Sequence, residues 1–281
     1  MRIARGRRAL LAGLVVACTG QASAPAVSSE WPNEPPGLTV LSDWGMDVPL
    51  PAEGDVPLPG GSGWAVVANA PPGDARGSAS LAYDSAAPFT PVSVYAFEYP
   101  QGMVEGTAPA TVYFPYRESG WRRAAVSLAG QRDGLASREV YVGFWWKPST
   151  PFDLGPNGNK IAFLFNGGGD AGGQQFLILL PDGRLHVLPE YPGDFHWRDP
   201  NVTATVVQLG VWHRIEWHSN VATGDMEWWL DGVLQGRYHD VRNAHEFDMF
   251  QFSPTWGGNT GATKRETDHY WFGHVRVSVR E

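Results

Sequence analysis

The stretch GVWHRIEWHSNVATGDMEWWLDG, Gly210 to Gly232, constrains the fold more than any other part of the chain. Two runs rich in tryptophan and bulky apolar residues, VWHRIEWH and DMEWWL, flank the polar link SNVATG, and Asp231-Gly232 follows at once. Period-2 runs bounded by Asn, Gly and Asp mark antiparallel strands joined by tight turns. Alternation puts Val211, His213, Ile215 and Trp217 on one face of the first run, and Trp212, Arg214, Glu216 and His218 on the other. In the second run Met226, Trp228 and Leu230 oppose Glu227, Trp229 and Asp231. One face can be buried, and the other displays charge and tryptophan. Trp212 falls among polar residues, so simple alternation fails there and a bulge or strand end is expected.

The pattern recurs upstream and downstream. EVYVGFWWK (139–147) sets Val140, Val142, Phe144 and Trp146 against Glu139, Tyr141, Gly143, Trp145 and Lys147. KIAFLF (160–165) and QFLILL (175–180) are apolar on both faces, as central strands of a packed sandwich are. Pro181-Asp182-Gly183 turns the chain into RLHVL, where Arg184 and His186 point away from Leu185 and Val187. ATVVQL (204–209), FDMFQF (247–252) and HYWFGHVRVSV (269–279) complete this series. WAVVANA, ASLAYD, VSVYAFEYP and ATVYFPY give shorter extended candidates between 64 and 137, while WRRAAVSLAG (121–130) has an ambiguous period. Strands spaced this way, with almost no helical periodicity, predict an all-β fold of two antiparallel sheets packed face to face. The 34 glycines and 23 prolines fit a turn-rich architecture.

The first residues read as an address. Arg2, Arg5, Arg7 and Arg8 precede the apolar run ALLAGLVVA, which is too short to span a bilayer, and then Cys18. Val15-Val16-Ala17-Cys18 resembles the bacterial lipobox, and Cys18, the single cysteine, is the expected lipidation site. An ordinary cleavage after Ala22-Ser23-Ala24 is the alternative. The expected organisation is a signal peptide at 1–18, a Pro/Ser-rich tether at 19–40 and one sandwich domain at 41–281. Such a protein is exported and held to the cell envelope by its lipid; without the lipid it is periplasmic or extracellular. Loss of the leader's four arginines shifts the net charge from −8 to about −12. That balance argues against nucleic acid, whose binding rests on Lys and Arg neutralising phosphates. A monomer is expected, with contact to a membrane through the lipid anchor alone.

WHRIEW followed by MEWWLDG resembles the pair of adjacent strands in concanavalin A-like jelly rolls, a superfamily of lectins, glucanases, laminin-G-like modules and polysaccharide lyases. YVGFWWKPS with NKIAFLF, and the closing DHYWFGHVRVS, resemble strands of its secreted bacterial members. The resemblance covers about 138–281 and implies a jelly-roll fold. It leaves the activity open, because this fold hosts binders, enzymes and structural modules alike.

Three functions are weighed on these residues. Indole rings on a charged sheet face stack on sugar rings while neighbouring polar groups bond the hydroxyls. Tyr141, Trp145, Lys147, Arg184, His186, Glu216, His218 and Trp229 are therefore the candidate carbohydrate-binding residues, and a polysaccharide or other glycan is the expected partner. A lyase acting on a uronate-containing glycan by β-elimination is the alternative, with Tyr141, His186, Arg214 and His218 as its candidate catalytic groups. The strings that mark alginate lyases in the resembling families are missing, though. Hydrolysis is disfavoured: the nearest string to the glucanase carboxylate motif, Glu246-Phe247-Asp248-Met249-Phe250-Gln251, carries glutamine where the acid/base belongs. A non-catalytic structural envelope protein is the third reading. Gly167–Gly172 formally fits G-x-G-x-x-G, but a strand follows it, so a loop is expected and not a phosphate cradle. No cofactor is expected and no zinc spacing is present; a structural calcium would suit the fold, but no D-x-D-x-D-G string marks one.

Overall fold

In the computed structural model, residues 30–59, 63–115, 137–166 and 172–280 are described. The lipobox with Cys18, the signal and cleavage sites, the run 121–130 and most of the glycine-rich loop (167–171) lie outside them. The strands run in chain order as β1 (Thr39–Trp44), β2 (Asp55–Pro57), β3 (Ala65–Val67), β4 (Ser78–Tyr83), β5 (Ser93–Tyr99), β6 (Thr111–Pro115), β7 (Glu139–Pro148) and β8 (Asn159–Asn166). They continue as β9 (Gln174–Leu179), β10 (Leu185–Tyr191), β11 (Asp194–Phe195), β12 (His213–Asn220), β13 (Asp225–Leu230), β14 (Val233–Tyr238), β15 (Phe247–Phe252) and β16 (Asp268–Val279). No helix occurs among the described residues.

Two eight-stranded antiparallel sheets result. The first has the order β14-β13-β12-β7-β16-β5-β4, with β1 beside the second half of β16. The second has the order β11-β10-β9-β8-β15-β6-β3-β2. Their facing sides make the core. Val140, Val142, Phe144 and Trp146 of β7 and Ile215 and Trp217 of β12 are all buried there, as their alternation predicts. Phe144 and Phe272 from the first sheet interlock with Phe252 from the second at ring-centre distances of 5.1 and 4.5 Å. Burying each such ring stabilises the fold by about 1.5–3 kcal/mol.

The opening hairpin is confirmed in detail. β12 begins at His213, so Trp212 stands at a strand end. Asp231 and Gly232 both have positive φ, 53° and 81°, the backbone twist that a two-residue turn needs to join twisted strands. One expected strand is absent: 204–209 joins neither sheet. Its Val207 N–H donates to Gly183 O and its Thr205 N–H to the Gln235 side chain, single bonds in place of a ladder.

A strap runs over the outer side of the first sheet before β1 begins. The Trp31 ring lies on Gly143 of β7, where an added Cβ would stand 2.3 Å from the indole. Asn33 donates from its backbone N–H and its side-chain amide to the two oxygens of Glu216, both at 2.9 Å. Glu34 accepts from Arg276 and Ser278 of β16. Beside the strap, Glu139 at the start of β7 gathers His218 and Asn220 of β12 and Arg280 past the end of β16.

Gly143→Val is expected to lift the strap and lower stability by about 1–3 kcal/mol, the range for an overpacked site, read as a fall in the urea midpoint. A second expectation concerns acid. The hydrogen bond from His218 outweighs the cost of burying Glu139, Arg280 adds to it, and the carboxyl is held at about 2. A carboxyl depressed on folding contributes stability that is present above its ordinary value and lost as pH falls through the folded one. The urea midpoint should therefore drop between pH of about 4.5 and 2, and Glu139→Gln should make that drop shallower. An unchanged acid limb in the variant would remove Glu139 from the account.

Candidate functional site

The outer side of the first sheet holds most of the residues singled out in the sequence: Tyr141, Trp145, Lys147, Arg214, Glu216, His218 and Trp229. Pairing of β13, β12, β7 and β16 sets them in rows, with Trp229 opposite Glu216 and His218 opposite Tyr141. Apart from Trp229, which is buried, these side chains meet one another or the segments laid over them. Glu216 has 0% exposure, and besides Asn33 it accepts from the Tyr141 hydroxyl at 2.7 Å and from Arg214 Nε at 3.1 Å. Burial first, and then the adjacent Glu216 charge, push the Tyr141 hydroxyl well above the ordinary tyrosine range. His218 donates to Glu139 at 3.2 Å.

Further along the same face, Phe89 rests on Gly273 and packs against Trp145 and Trp212 at 5.8 and 5.2 Å. Lys147 pairs with Asp84, which also accepts from the Trp212 indole, and its ammonium sits between the Trp212 and Trp271 rings at 5.1 and 4.6 Å. Charge and tryptophan are thus present on this face as the alternation implied, engaged with each other, with the strap and with the segment around Asp84 and Phe89.

Arg184 and His186 are not among them. They flank Leu185 at the start of β10, in the second sheet. Arg184 bonds Asp182 and the carbonyl of Ala204. His186 is buried, with Asp199 on Nδ1 at 2.9 Å and Asp182 on Nε2 at 3.2 Å. The four candidate lyase groups therefore divide, with His186 on one sheet and Tyr141, Arg214 and His218 on the outer side of the other.

The outer side of the second sheet carries a constellation that the strand alternation of 138–281 did not bring forward. Register places Leu188, Phe176, Phe163 and Gln251 in one row, and Glu190, Gln174, Phe165 and Met249 in the next. The apolar members are buried, and the Gln251 Oε1 accepts nothing among the described residues. Tyr113 of β6, opposite Gln251, donates to Asp55 at 2.6 Å. At the other margin the chain turns at Pro192-Gly193 and pairs back on β10, with Phe195 opposite Glu190 and Arg198 opposite Val187. Alternation then turns Phe195, Trp197 and Asp199 outward, on the side of His186, Leu188 and Glu190. Phe195 is 65% exposed and Trp197 45% exposed. The Trp197 ring meets Phe176 edge-on at 6.1 Å, and the Lys160 ammonium lies 5.3 Å from the same Phe176 ring.

Arg198, pointing the other way, closes the sandwich margin. It bonds Asp194 at 2.9 Å and lies over Tyr238 of β14 at 5.5 Å. The tetrapeptide Phe195-His196-Trp197-Arg198, behind a Pro-Gly turn, was the sequence signal for this edge: two aromatics at alternate positions beside polar ones. Among the described residues, no group of three or more His, Cys, Asp or Glu side chains is arranged to hold a metal ion.

No protein-family model matches the chain, and no curated protein sequence matches it. Solved structures do. A cellulose-induced protein, Cip1, superposes with a TM-score of 0.50 and 14% identity over 76% of this chain and 90% of its own. The alginate lyase vAL-1 from a Chlorella virus gives 0.50 and 14% over 71% of this chain and 88% of its own. A sialidase gives 0.47 and 12% over 78% of this chain, which spans only 17% of the sialidase's length. The chain shares the two-sheet antiparallel jelly-roll fold of these proteins, as the resemblance implied, and at such identities the likeness is one of fold.

Proposed function

We propose that this is an exported, lipid-anchored glycan-binding protein that takes carbohydrate on the outer side of its second sheet, at the β10–β11 margin. The observation that carries the reading is the pair Phe195 and Trp197, exposed at alternate positions of one edge. A flat indole or phenyl face is complementary to the C–H face of a sugar ring, and two such rings at alternate positions offer neighbouring contacts along one edge. Glu190, Gln174, Lys160 and Asp199 supply hydrogen-bonding groups on the same side. The exposed aromatic pair with convergent polar groups is the makeup of a ligand surface.

Binding without turnover fits the side-chain geometry better than elimination does. A lyase base must be free to accept a proton within reach of the substrate. Both ring nitrogens of His186 face carboxylates, and Tyr141, Arg214 and His218 are engaged with Glu216 and Glu139 on the other sheet. The leader with Cys18 supports export and anchoring, and one fold-mate is an alginate lyase, so in that protein the scaffold meets a polysaccharide.

Affinity electrophoresis through gels containing different polysaccharides, followed by calorimetry on the retained one, tests this. Trp197→Ala should weaken binding at least tenfold, about 1.4 kcal/mol, whereas Trp145→Ala should leave it within twofold. The reverse ranking would return the site to the first sheet. Ultraviolet absorbance from an unsaturated sugar product during incubation would show turnover and sink the binding-only reading.

A further inference from the structure

The chain has three lysines, and they are not held alike. Lys147 pairs with Asp84. Lys264, with 0% side-chain exposure, pairs with Asp268 at 2.5 Å and donates to the carbonyl of Asp153. Lys160 is half-buried on the outer side of the second sheet, opposite Ile178, and no carboxylate among the described residues forms an ion pair with it. Its ammonium donates no hydrogen bond to them either; its contact is the Phe176 ring at 5.3 Å. The nearest acidic influence is Glu190, which attracts it from beyond pairing distance and is itself bonded by Gln174.

A half-buried ammonium without an anion is costly, because burial disfavours the charged form. That burial lowers the Lys160 pKa here, with the pull of Glu190 only partly opposing it. Other long cations among the described residues have polar partners: Arg184 pairs with Asp182, Arg198 with Asp194, Arg237 with Glu227 and Arg276 with Glu34, while Arg138 and Arg242 donate to the backbone carbonyls of Asn243 and Ala222. Among the described residues Lys160 has neither kind of partner, and it stands by the exposed aromatic edge. The Trp197 ring and the Lys160 ammonium flank one and the same buried ring, Phe176. A sugar resting against Trp197 therefore stands near the Lys160 ammonium.

We propose that Lys160 is the anion-recognising residue of this face and that the glycan it takes is acidic, carrying a carboxylate or a sulfate ester on the sugar bound at Trp197. The assignment rests on the glycan-binding reading above and specifies its ligand class. The incoming anion replaces the water that now solvates the ammonium, and a charge-assisted hydrogen bond in a partly desolvated site is stronger than one between neutral groups. Neutral glycans keep the stacking contact and lack this one.

The test uses the full-length protein and three probes: oligogalacturonate, a sulfated galactose oligosaccharide and a neutral galacto-oligosaccharide. Binding is measured by calorimetry for the wild type, Lys160→Met, Lys160→Arg and Trp197→Ala, each checked for an unchanged melting transition. The wild type should bind one or both charged probes at least tenfold more tightly than the neutral one, with the gap narrowing as salt is raised. Whichever charged probe binds more tightly identifies the anion as carboxylate or sulfate. Lys160→Met should abolish that preference and leave neutral binding unchanged, and Lys160→Arg should keep it. Lys160→Met binding the charged probes as the wild type does would overturn the assignment. If Trp197→Ala still lost binding in that case, the glycan site would stand and the role of Lys160 alone would fall. No binding of any probe by the wild type would overturn both.

Discussion

A single buried carboxylate organises one side of this sandwich. Glu216 has no water to solvate its charge, and a carboxylate taken from water without compensation costs several kcal/mol. Four donated hydrogen bonds meet it, one from Tyr141, one from Arg214 and two from Asn33. Two of the four come from outside the sheet. Satisfying Glu216 therefore requires the strap, and docking the strap requires a floor without a Cβ, which Gly143 provides for Trp31. The part of the first sheet's outer side around Glu216 is covered by the same interaction that makes its charge tolerable.

That closure distributes the roles of the two sheets. A sheet has two faces, and in a sandwich only the inner pair meets in the core. The polar residues outside the first sheet are spent on holding strands, strap and chain end together, as Glu139 with His218 and Arg280 shows again. The second sheet keeps an edge where aromatic rings reach solvent. Its central rings are buried, but Phe195 and Trp197 extend that apolar surface to the margin, with His186 locked between two aspartates beside them. Held at both nitrogens, that histidine ties β10 to the turn before it and to the edge segment.

Much of the scaffold was legible because it follows from period and turn chemistry alone. Alternation in β12 and β13 sorted Trp217 and Trp228 from Glu216 and Trp229 correctly, and Asp231-Gly232 gave the turn. Alternation assigns a side chain to a face of its own strand, however, and says nothing of which sheet the strand enters. Arg184 and His186 read like Arg214 and His218, yet β10 joins the second sheet and β12 the first. Stretch 204–209 had the composition of a strand, but a ladder needs a partner edge and it found only single bonds. The strap was hidden for a different reason: Trp31, Asn33 and Glu34 sit in a proline-rich run with no period, and their docking is long-range, 183 residues away for Asn33 and Glu216. Trp197 lay in plain view in a short irregular edge, where a two-residue strand gives alternation too little length to register.

The central claim is that the ligand-facing surface is the Phe195–Trp197 margin of the second sheet, while the polar residues outside the first sheet are engaged with one another and with the strap. Indole N–H resonances report this directly, since each tryptophan gives one signal that can be assigned by substitution. On titration with a glycan that the protein retains, the account predicts that the Trp197 signal moves with ligand concentration while those of Trp31, Trp145 and Trp229 stay in place. Movement of the latter three with a silent Trp197 would contradict it.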